Sequence, residues 1–361
     1  MVSVTVMAGC DASVCRKRLD WIPMIDSGRK VKLNELAAEA GVSLSTVSKV
    51  LNGRSDVSAR TRTKVEDLLG KHGYQRRPGL PNRDTLIELV FPELETAWAM
   101  EIIRGVENVA RTNDLSVVLT ESGDRHSPSP AWLTGVLRRR PVGVVLVFAD
   151  LAAEAKATLQ SRAIPFVIID PAGDPASDVP AIGSANWSGG LVATRHLIEL
   201  GHTRIAAITG RDDMMCSFAR LDGYRSAMNT AGIEIDDRFV RFGNFRVDGG
   251  RSIARELLTM PDRPTAIFAG SDLQALGVIE AARTLGLRVP VDLSIVGYDD
   301  LQLAQWSSPA LTTVHQPLTA MAEEAARLVI RMSESTLRTI PRMDLATRLV
   351  VRDSTAAPIA G

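Results

Sequence analysis

Cysteine, aromatic residues and long apolar runs are all scarce in this chain, and each scarcity excludes a class of protein. The three cysteines, Cys10, Cys15 and Cys216, are odd in number and form no CxxC pair. That argues against a disulfide framework or a zinc site and points to a reducing compartment. No stretch reaches the roughly 18 to 20 unbroken apolar residues of a transmembrane helix. Residues 1–30 lack the ordered charged, apolar and small-residue regions of an export signal, with Asp11, Arg16, Lys17 and Arg18 scattered through them. A cytoplasmic chain without membrane contact is therefore expected. The five histidines, His72, His126, His196, His202 and His315, show no metal-ligand spacing. Neither a GxSxG elbow nor a Walker A loop occurs, so no metal, no cofactor and no enzymatic activity are expected.

What is present bounds the architecture. The 361 residues, 45% hydrophobic and 23% charged, are globular values and too many for one ordinary domain. The net charge of zero hides an asymmetry: residues 31–83 carry ten Lys or Arg against five Asp or Glu, and the remainder after Arg83 carries twenty-seven against thirty-four. A basic module on an acidic body points to a polyanion at one end only, because Lys and Arg gain affinity by releasing counterions condensed on phosphates.

Along the chain, residues 1–30 show no helical or strand period and read as a disordered tail or an over-long start. Residues 31–75 read as a small all-helical domain. Leu33, Leu36, Ala37 and Ala40 recur at helical spacing, Gly41 stops them, and Ser43 caps a second helix carrying Leu44, Val47, Val50 and Leu51. A third helix follows the cap Ser58. Residues 76–84 (RRPGLPNRD in 76–84) form a Pro and Gly linker, and residues 85–356 an α/β body. In that body the apolar strands LIELVF, LSVVLT, GVVLVF, PFVIID, RIAAIT, TAIFAG and LSIVGY alternate with helical runs, the pattern of parallel sheets covered on both faces. Most strands end in polar groups, among them Glu93, Glu121, Asp150, Asp170, Asp212, Ser271, Asp272, Asp299 and Asp300. Ligands of open α/β sheets bind at those carboxyl ends.

Two short helices joined by Gly41-Val42-Ser43 fit a helix-turn-helix, whose second helix lies in the major groove of DNA. Burying Leu36, Ala37, Val47 and Val50 leaves Leu44, Ser45, Thr46, Ser48 and Lys49 on the outer face, suited to base and phosphate contacts. The segment AAEAGVSLSTVSKVLNG, residues 37–53, closely resembles the signature AxxAGVSxxTVSxVLNG of the LacI family of bacterial repressors. The resemblance extends over residues 31–356, with landmarks in order: IIRGVE, HLIELGHTRIAAI, FARLDGY, SDLQALG, VGYDD and PALTTVHQP.

The resemblance implies a helix-turn-helix head followed by a two-lobed, periplasmic-binding-protein-like domain of parallel sheets. It places the first lobe at about 85–186 and 316–342, and the second at about 187–313 and 345–351. By position, Leu44, Ser45 and Lys49 read bases, and Ser43, Thr46, Ser48 and Asn52 grip phosphate or shape the turn. Lys49 stands where many members have Arg, and an ammonium cannot make the bidentate fork to guanine. The family's hinge helix, PNxxARxL, is replaced by QRRPGLPNRD, in which Leu80 is either the minor-groove wedge or a plain linker residue.

In the body, Arg220, Ser271 and Asp299 correspond to hydroxyl partners of a bound effector, Asp170 reaches in from the first lobe, and Trp98 and Phe245 supply flat faces. Trp187 and Trp306 also fall on loops expected near the cleft. Ser271 stands where much of the family has Asn. The expected protein is a homodimeric regulator, in the repressor sense, of a near-palindromic double-stranded DNA operator, controlled by a small-molecule effector, with a sugar first. A purine or other non-sugar ligand is the alternative, and a solute-binding transport component the alternative from another class.

Overall fold

The computed structural model describes residues 33–51, 57–72, 85–94, 97–123, 130–147, 151–171, 173, 177–334 and 341–359. The chain forms two compact units, Met1–Leu80 and Pro81–Gly361.

In the first unit, helices α1 (Leu33–Ala40), α2 (Leu44–Leu51) and α3 (Ala59–Lys71) surround a small core of Leu36, Ala37, Ala40, Val47, Val50, Val65 and Leu69. Alanines at the α1 face let α2 approach closely. Gly41 ends α1 in the left-handed region at φ 69°, its N–H donating to the Ala38 carbonyl at 3.1 Å and that of Val42 to Ala37 at 3.0 Å. Gly41 has open space where a Cβ would be, so the backbone conformation alone calls for glycine there. Ser43 caps α2, its hydroxyl accepting from the Thr46 N–H at 3.1 Å, and Ser58 caps α3 through Thr61 at 3.3 Å. His72, just past α3, reaches back to Glu39 of α1 at 2.8 Å.

The second unit contains two six-stranded sheets. Chain order begins β1 (Leu86–Phe91), α4 (Ala97–Thr112), β2 (Ser116–Glu121), α5 (Pro130–Arg139), β3 (Gly143–Val147), α6 (Ala153–Ser161), β4 (Phe166–Ile169) and β5 (Ala181–Ser184). It continues with α7 (Asn186–Glu199), β6 (Ile205–Thr209), α8 (Met215–Thr230), β7 (Val240–Phe242), α9 (Val247–Leu258), β8 (Ala266–Ala269), α10 (Asp272–Thr284), β9 (Ser294–Asp299), α11 (Gln302–Trp306) and β10 (Thr312–His315). It closes with α12 (Leu318–Ser333), β11 (Arg342–Leu345) and β12 (Arg348–Val350).

The first sheet has the order β11-β5-β4-β3-β1-β2 and the second β12-β10-β9-β8-β6-β7. Every pairing is parallel except that of β12 with β10. Strands β1 and β3 of the first sheet, and β6, β8 and β9 of the second, are buried on both faces, which is why they read as predominantly apolar runs, interrupted in β1 by buried Glu88. The chain passes between sheets three times, after β5, after β10 and after β11. One boundary differs from the sequence reading. Arg342–Leu345 pairs with Ala181–Ser184, and the Leu345 carbonyl accepts from Ala185, so Leu345 extends the first sheet and the second sheet's edge strand starts at Arg348.

Candidate DNA-reading surface and effector cleft

On α2, burial of Val47 and Val50 turns Leu44, Ser45, Ser48 and Lys49 outward, and Leu44 is 47% exposed. Ser45, Ser48 and Lys49 stand three and four residues apart and so share one helix face. Thr46 is half-buried. The Ser43 hydroxyl bonds both the Ser45 and Thr46 hydroxyls, at 2.7 and 2.8 Å, so Ser43 and Thr46 shape the start of the helix. Asn52 and Leu80 lie outside the described residues, and with them the question of the hinge.

In the second unit, the carboxyl ends of β1, β6, β8 and β9 open on a cleft of about 820 Å³ between the two sheets. Trp98, Arg220, Phe245, Ser271 and Asp299 all line it. Arg220 is its central charge, 3% exposed on α8. Its placement depends on a close helix crossing: a Cβ on Gly190 of α7 would stand 2.1 Å from the Arg220 carbonyl oxygen, so only glycine admits α8 here. The guanidinium is then fixed on every side. Nε donates to Asn186 Oδ1 at 2.8 Å, Nη1 to the Gly270 carbonyl at 2.5 Å and Nη2 to Gln316 Oε1 at 3.2 Å. Asp299 Oδ1 lies 3.8 Å from Nη1, and the Tyr298 ring centroid 3.6 Å from the guanidinium carbon.

Asp170 lines an adjoining cavity of the same unit rather than the cleft itself, and joins the network through Gln316, whose amide donates to its carboxylate at 2.8 Å. Burial pushes the Asp170 carboxyl up to about 6, with Arg220 opposing. Asp299 is likewise raised, first by burial, against the pull of Arg220. Two buried acids sharing one guanidinium are thus held within reach of neutral pH.

Backbone strain marks the same loops. Phe245, Asp299 and Asp300 have φ of 61°, 111° and 58°. Buried Asp272 holds the Asp299 loop, accepting from the Leu301 N–H at 2.7 Å and the Thr313 hydroxyl at 2.5 Å. The Phe245 ring lies against Gly210, and its carbonyl accepts from the Ser271 hydroxyl at 3.0 Å. Ser271 also caps α10 through the Gln274 N–H at 3.1 Å, so its hydroxyl braces the cleft wall. Across the mouth, Glu93 of the first lobe is ion-paired with Arg246 of the second.

Several contributors went unnamed in the sequence reading: Asn186 and Gln316, the bracing role of Asp272, and the Glu93–Arg246 pair. Gln316 lies inside the landmark PALTTVHQP and so left a signal. Asn186 left none. Of the other tryptophans, Trp187 lines the cavity beside Asp170, and Trp306 is 72% exposed and lines neither. His196 and His202 pack as structural residues, His202 bonding Thr265 and Ser294 at 2.9 and 3.0 Å.

Comparison with known proteins agrees with both units. The model of bacterial regulatory proteins of the lacI family matches residues 32–77, and that of the periplasmic binding protein-like domain residues 194–355. The HTH-type transcriptional regulator CelR of Thermobifida fusca is 35% identical over 339 residues, covering 90% of this chain and 98% of the relative. The chain belongs to the lacI family of bacterial regulatory proteins. Another lacI-family relative, the ribose operon repressor of Escherichia coli (strain K12), is 35% identical over 329 residues, covering 89% of this chain and 99% of that protein. Among solved structures, a transcriptional regulator CelR–cellobiose complex superposes with a TM-score of 0.69 at 35% identity, covering 90% and 99% of the two chains. The lac repressor dimer bound to operator and the anti-inducer ONPF gives 0.68 at 26% identity, covering 91% and 100%. This family member is a DNA-binding transcriptional regulator, with its helix-turn-helix in the first unit and its two-lobed domain in the second. Among the described residues no helix is long and apolar enough to cross a membrane.

Proposed function

We propose that this regulator is a homodimeric, sugar-responsive repressor in which a sugar binds the cleft around Arg220 and changes operator affinity. The observation that carries this reading is the cleft's composition. A fixed guanidinium and a buried carboxylate offer directional bonds to hydroxyls, and Phe245 and Trp98 offer apolar faces to the C–H surface of a sugar ring. Support comes from relatives: CelR has been captured with cellobiose, and another relative is a ribose operon repressor. The lac repressor neighbour is a dimer on its operator, which supports the same assembly here. A two-fold dimer doubles the few base pairs that one α2 reads. Leu44, Ser45 and Lys49 are the base readers in this proposal, with Ser43 and Thr46 setting the helix start and Ser48 gripping phosphate.

The test is a titration of the full chain with cellobiose, ribose, other mono- and disaccharides and a panel of nucleobases. Thermal melting and fluorescence anisotropy on a duplex selected by the protein from a random library are the readouts. A sugar at about 100 times its Kd stabilises the folded state by roughly 2.7 kcal/mol and shifts duplex affinity. A nucleobase that does both while every sugar does neither overturns the sugar assignment. Failure to select any duplex sequence overturns the regulator itself.

A further inference from the structure

One charged surface of the second unit takes no part in the cleft. At the edge of the first sheet where its strands begin, Arg138 and Arg140 at the end of α5 and Arg162 after α6 surround a concavity of about 1200 Å³, floored by Pro141 and Ile164. All three arginines are exposed. Among the described residues none of the three guanidinium groups has a hydrogen-bond or ion-pair partner, whereas Arg104, Arg111, Arg139 and Arg327 of the same lobe are each paired with a glutamate. Asp114, just ahead of β2, is an acidic residue on this edge.

The edge is also where the chain enters the unit. Leu86 accepts from the Val142 N–H at 2.7 Å, and Pro165 accepts from that of Val144 at 2.9 Å, so the segments bearing Arg140 and Arg162 start beside the first described residues of this unit. The twelve residues 73–84 between His72 and Thr85 can span at most about 43 Å when fully extended. That reach is close to one turn of B-DNA, about 34 to 36 Å.

We propose that this arginine-lined edge is a second DNA contact, gripping backbone phosphates that flank the sequence read by α2. It rests on the reading that the first unit binds a specific duplex, and adds a sequence-independent contact outside that duplex. Exposed, unpaired arginines suit phosphate oxygens, and their affinity comes from counterion release.

The test uses the full chain and its selected duplex in two lengths, the selected site alone and the site with about ten further base pairs on each side. Each phosphate contact adds about 0.9 to the slope of log affinity against log salt, so the longer duplex gives a slope steeper by up to about 2.7 per protomer. The variant Arg138→Gln/Arg140→Gly/Arg162→Gln removes the charges, and glycine suits the φ of 48° at position 140, so the fold is retained. The expected result is wild-type affinity for the short duplex with the length-dependent slope abolished. Equal wild-type slopes on both lengths overturn the proposal, as does a variant that keeps the difference. So does a melting shift with pyrophosphate that the variant loses while the slopes stay independent of length, which makes the edge a small-anion site. Failure of the regulator reading itself shows separately, as loss of sequence preference on the short duplex.

Discussion

Replacing Arg220 with methionine keeps most of the side chain's length and deletes the charge on which the cleft is organised. In the native arrangement its guanidinium donates to Asn186, Gly270 and Gln316 and faces Asp299 at 3.8 Å. Without it, Asp170 and Asp299, 3% and 5% exposed, keep their burial and lose their cation. Removing one partner of a buried charge pair costs about 3–5 kcal/mol. At roughly 2–4 °C per kcal/mol, that lowers the melting temperature by something on the order of 6–20 °C.

The pH dependence separates this cause from simple loss of packing. A carboxyl whose folded pKa is raised contributes stability below its unfolded value, and that contribution is lost as pH rises through the folded value. For Asp170 in the wild type the loss runs from the ordinary carboxyl value of 3.8 to about 6. Arg220 holds both carboxyls down. In the methionine variant both therefore rise, the loss continues to higher pH, and the stability deficit grows toward a limit of about 1.4 kcal/mol per pH unit for each carboxyl. Urea unfolding of both proteins at about pH 5 and about pH 7.5, followed by circular dichroism, measures the deficit at each end. A deficit that is the same at both pH values, or below about 1 kcal/mol at the higher one, refutes the assignment of Arg220 as the counterion of these two acids.

Three further substitutions probe the other supports. Gly190→Ala drives a methyl to 2.1 Å from the Arg220 carbonyl, so α7 and α8 must separate; a loss of about 1–3 kcal/mol in urea unfolding is expected, together with a weaker sugar-induced melting shift. Ser43→Ala removes the side-chain acceptor for the Thr46 N–H, leaving the Ser43 carbonyl at 2.9 Å, and destabilises the head by about 0.5–1 kcal/mol, read as faster hydrogen exchange at the α2 amides and weaker duplex binding, with the unfolding of the second unit unchanged. Glu93→Gln cuts the ion pair with Arg246, whose ends are 54% and 42% exposed, so unfolding changes by less than about 1 kcal/mol and the difference disappears in about 1 M salt; a larger, salt-independent loss shows that more than a surface pair joins the lobes there.

What the sequence disclosed follows from the range of each interaction. The helix-turn-helix was readable because its determinants are local: the period of Leu36, Ala37, Val47 and Val50, a left-handed Gly41 and the cap Ser43 all act within a few residues. The central strands were readable because both their faces are covered, whereas the short, partly exposed edge strands β7 and β11 were not. Arg220, Phe245 and Asp299 were placed at one cleft by the family resemblance, and Asp299 also by the rule that ligands gather at strand ends. The bonds that hold Arg220 were not readable, since Asn186 is 34 residues away in sequence and Gln316 is 96, and no periodicity connects them. Ser271 shows a different limit. A polar residue at a strand end serves a ligand or a helix equally well, and here its hydroxyl is engaged with Phe245 and Gln274.

The identity of those distant partners has a mechanical consequence. Asn186 stands at the first crossing between the sheets and Gln316 at the second, and Thr347 at the third donates to the Ala185 carbonyl at 3.3 Å. The cation that faces the cleft is therefore tied to two of the three crossover segments that join the lobes, and the third is bonded to the first. A ligand that draws Arg220 toward itself competes with Asn186 and Gln316 for the same N–H groups, and so acts directly on the hinge. How far the lobes shift is limited by the difference in ligand affinity between the two arrangements, since a ligand that binds both equally moves neither. In a Gln316→Glu variant the new carboxylate holds the guanidinium at the hinge, and the oxygen that replaces the amide donor faces the Asp170 carboxylate, so the two acids share one proton. The guanidinium N–H groups are then less available to the cleft, and the variant is expected to keep duplex binding and to need more sugar for the same change in affinity.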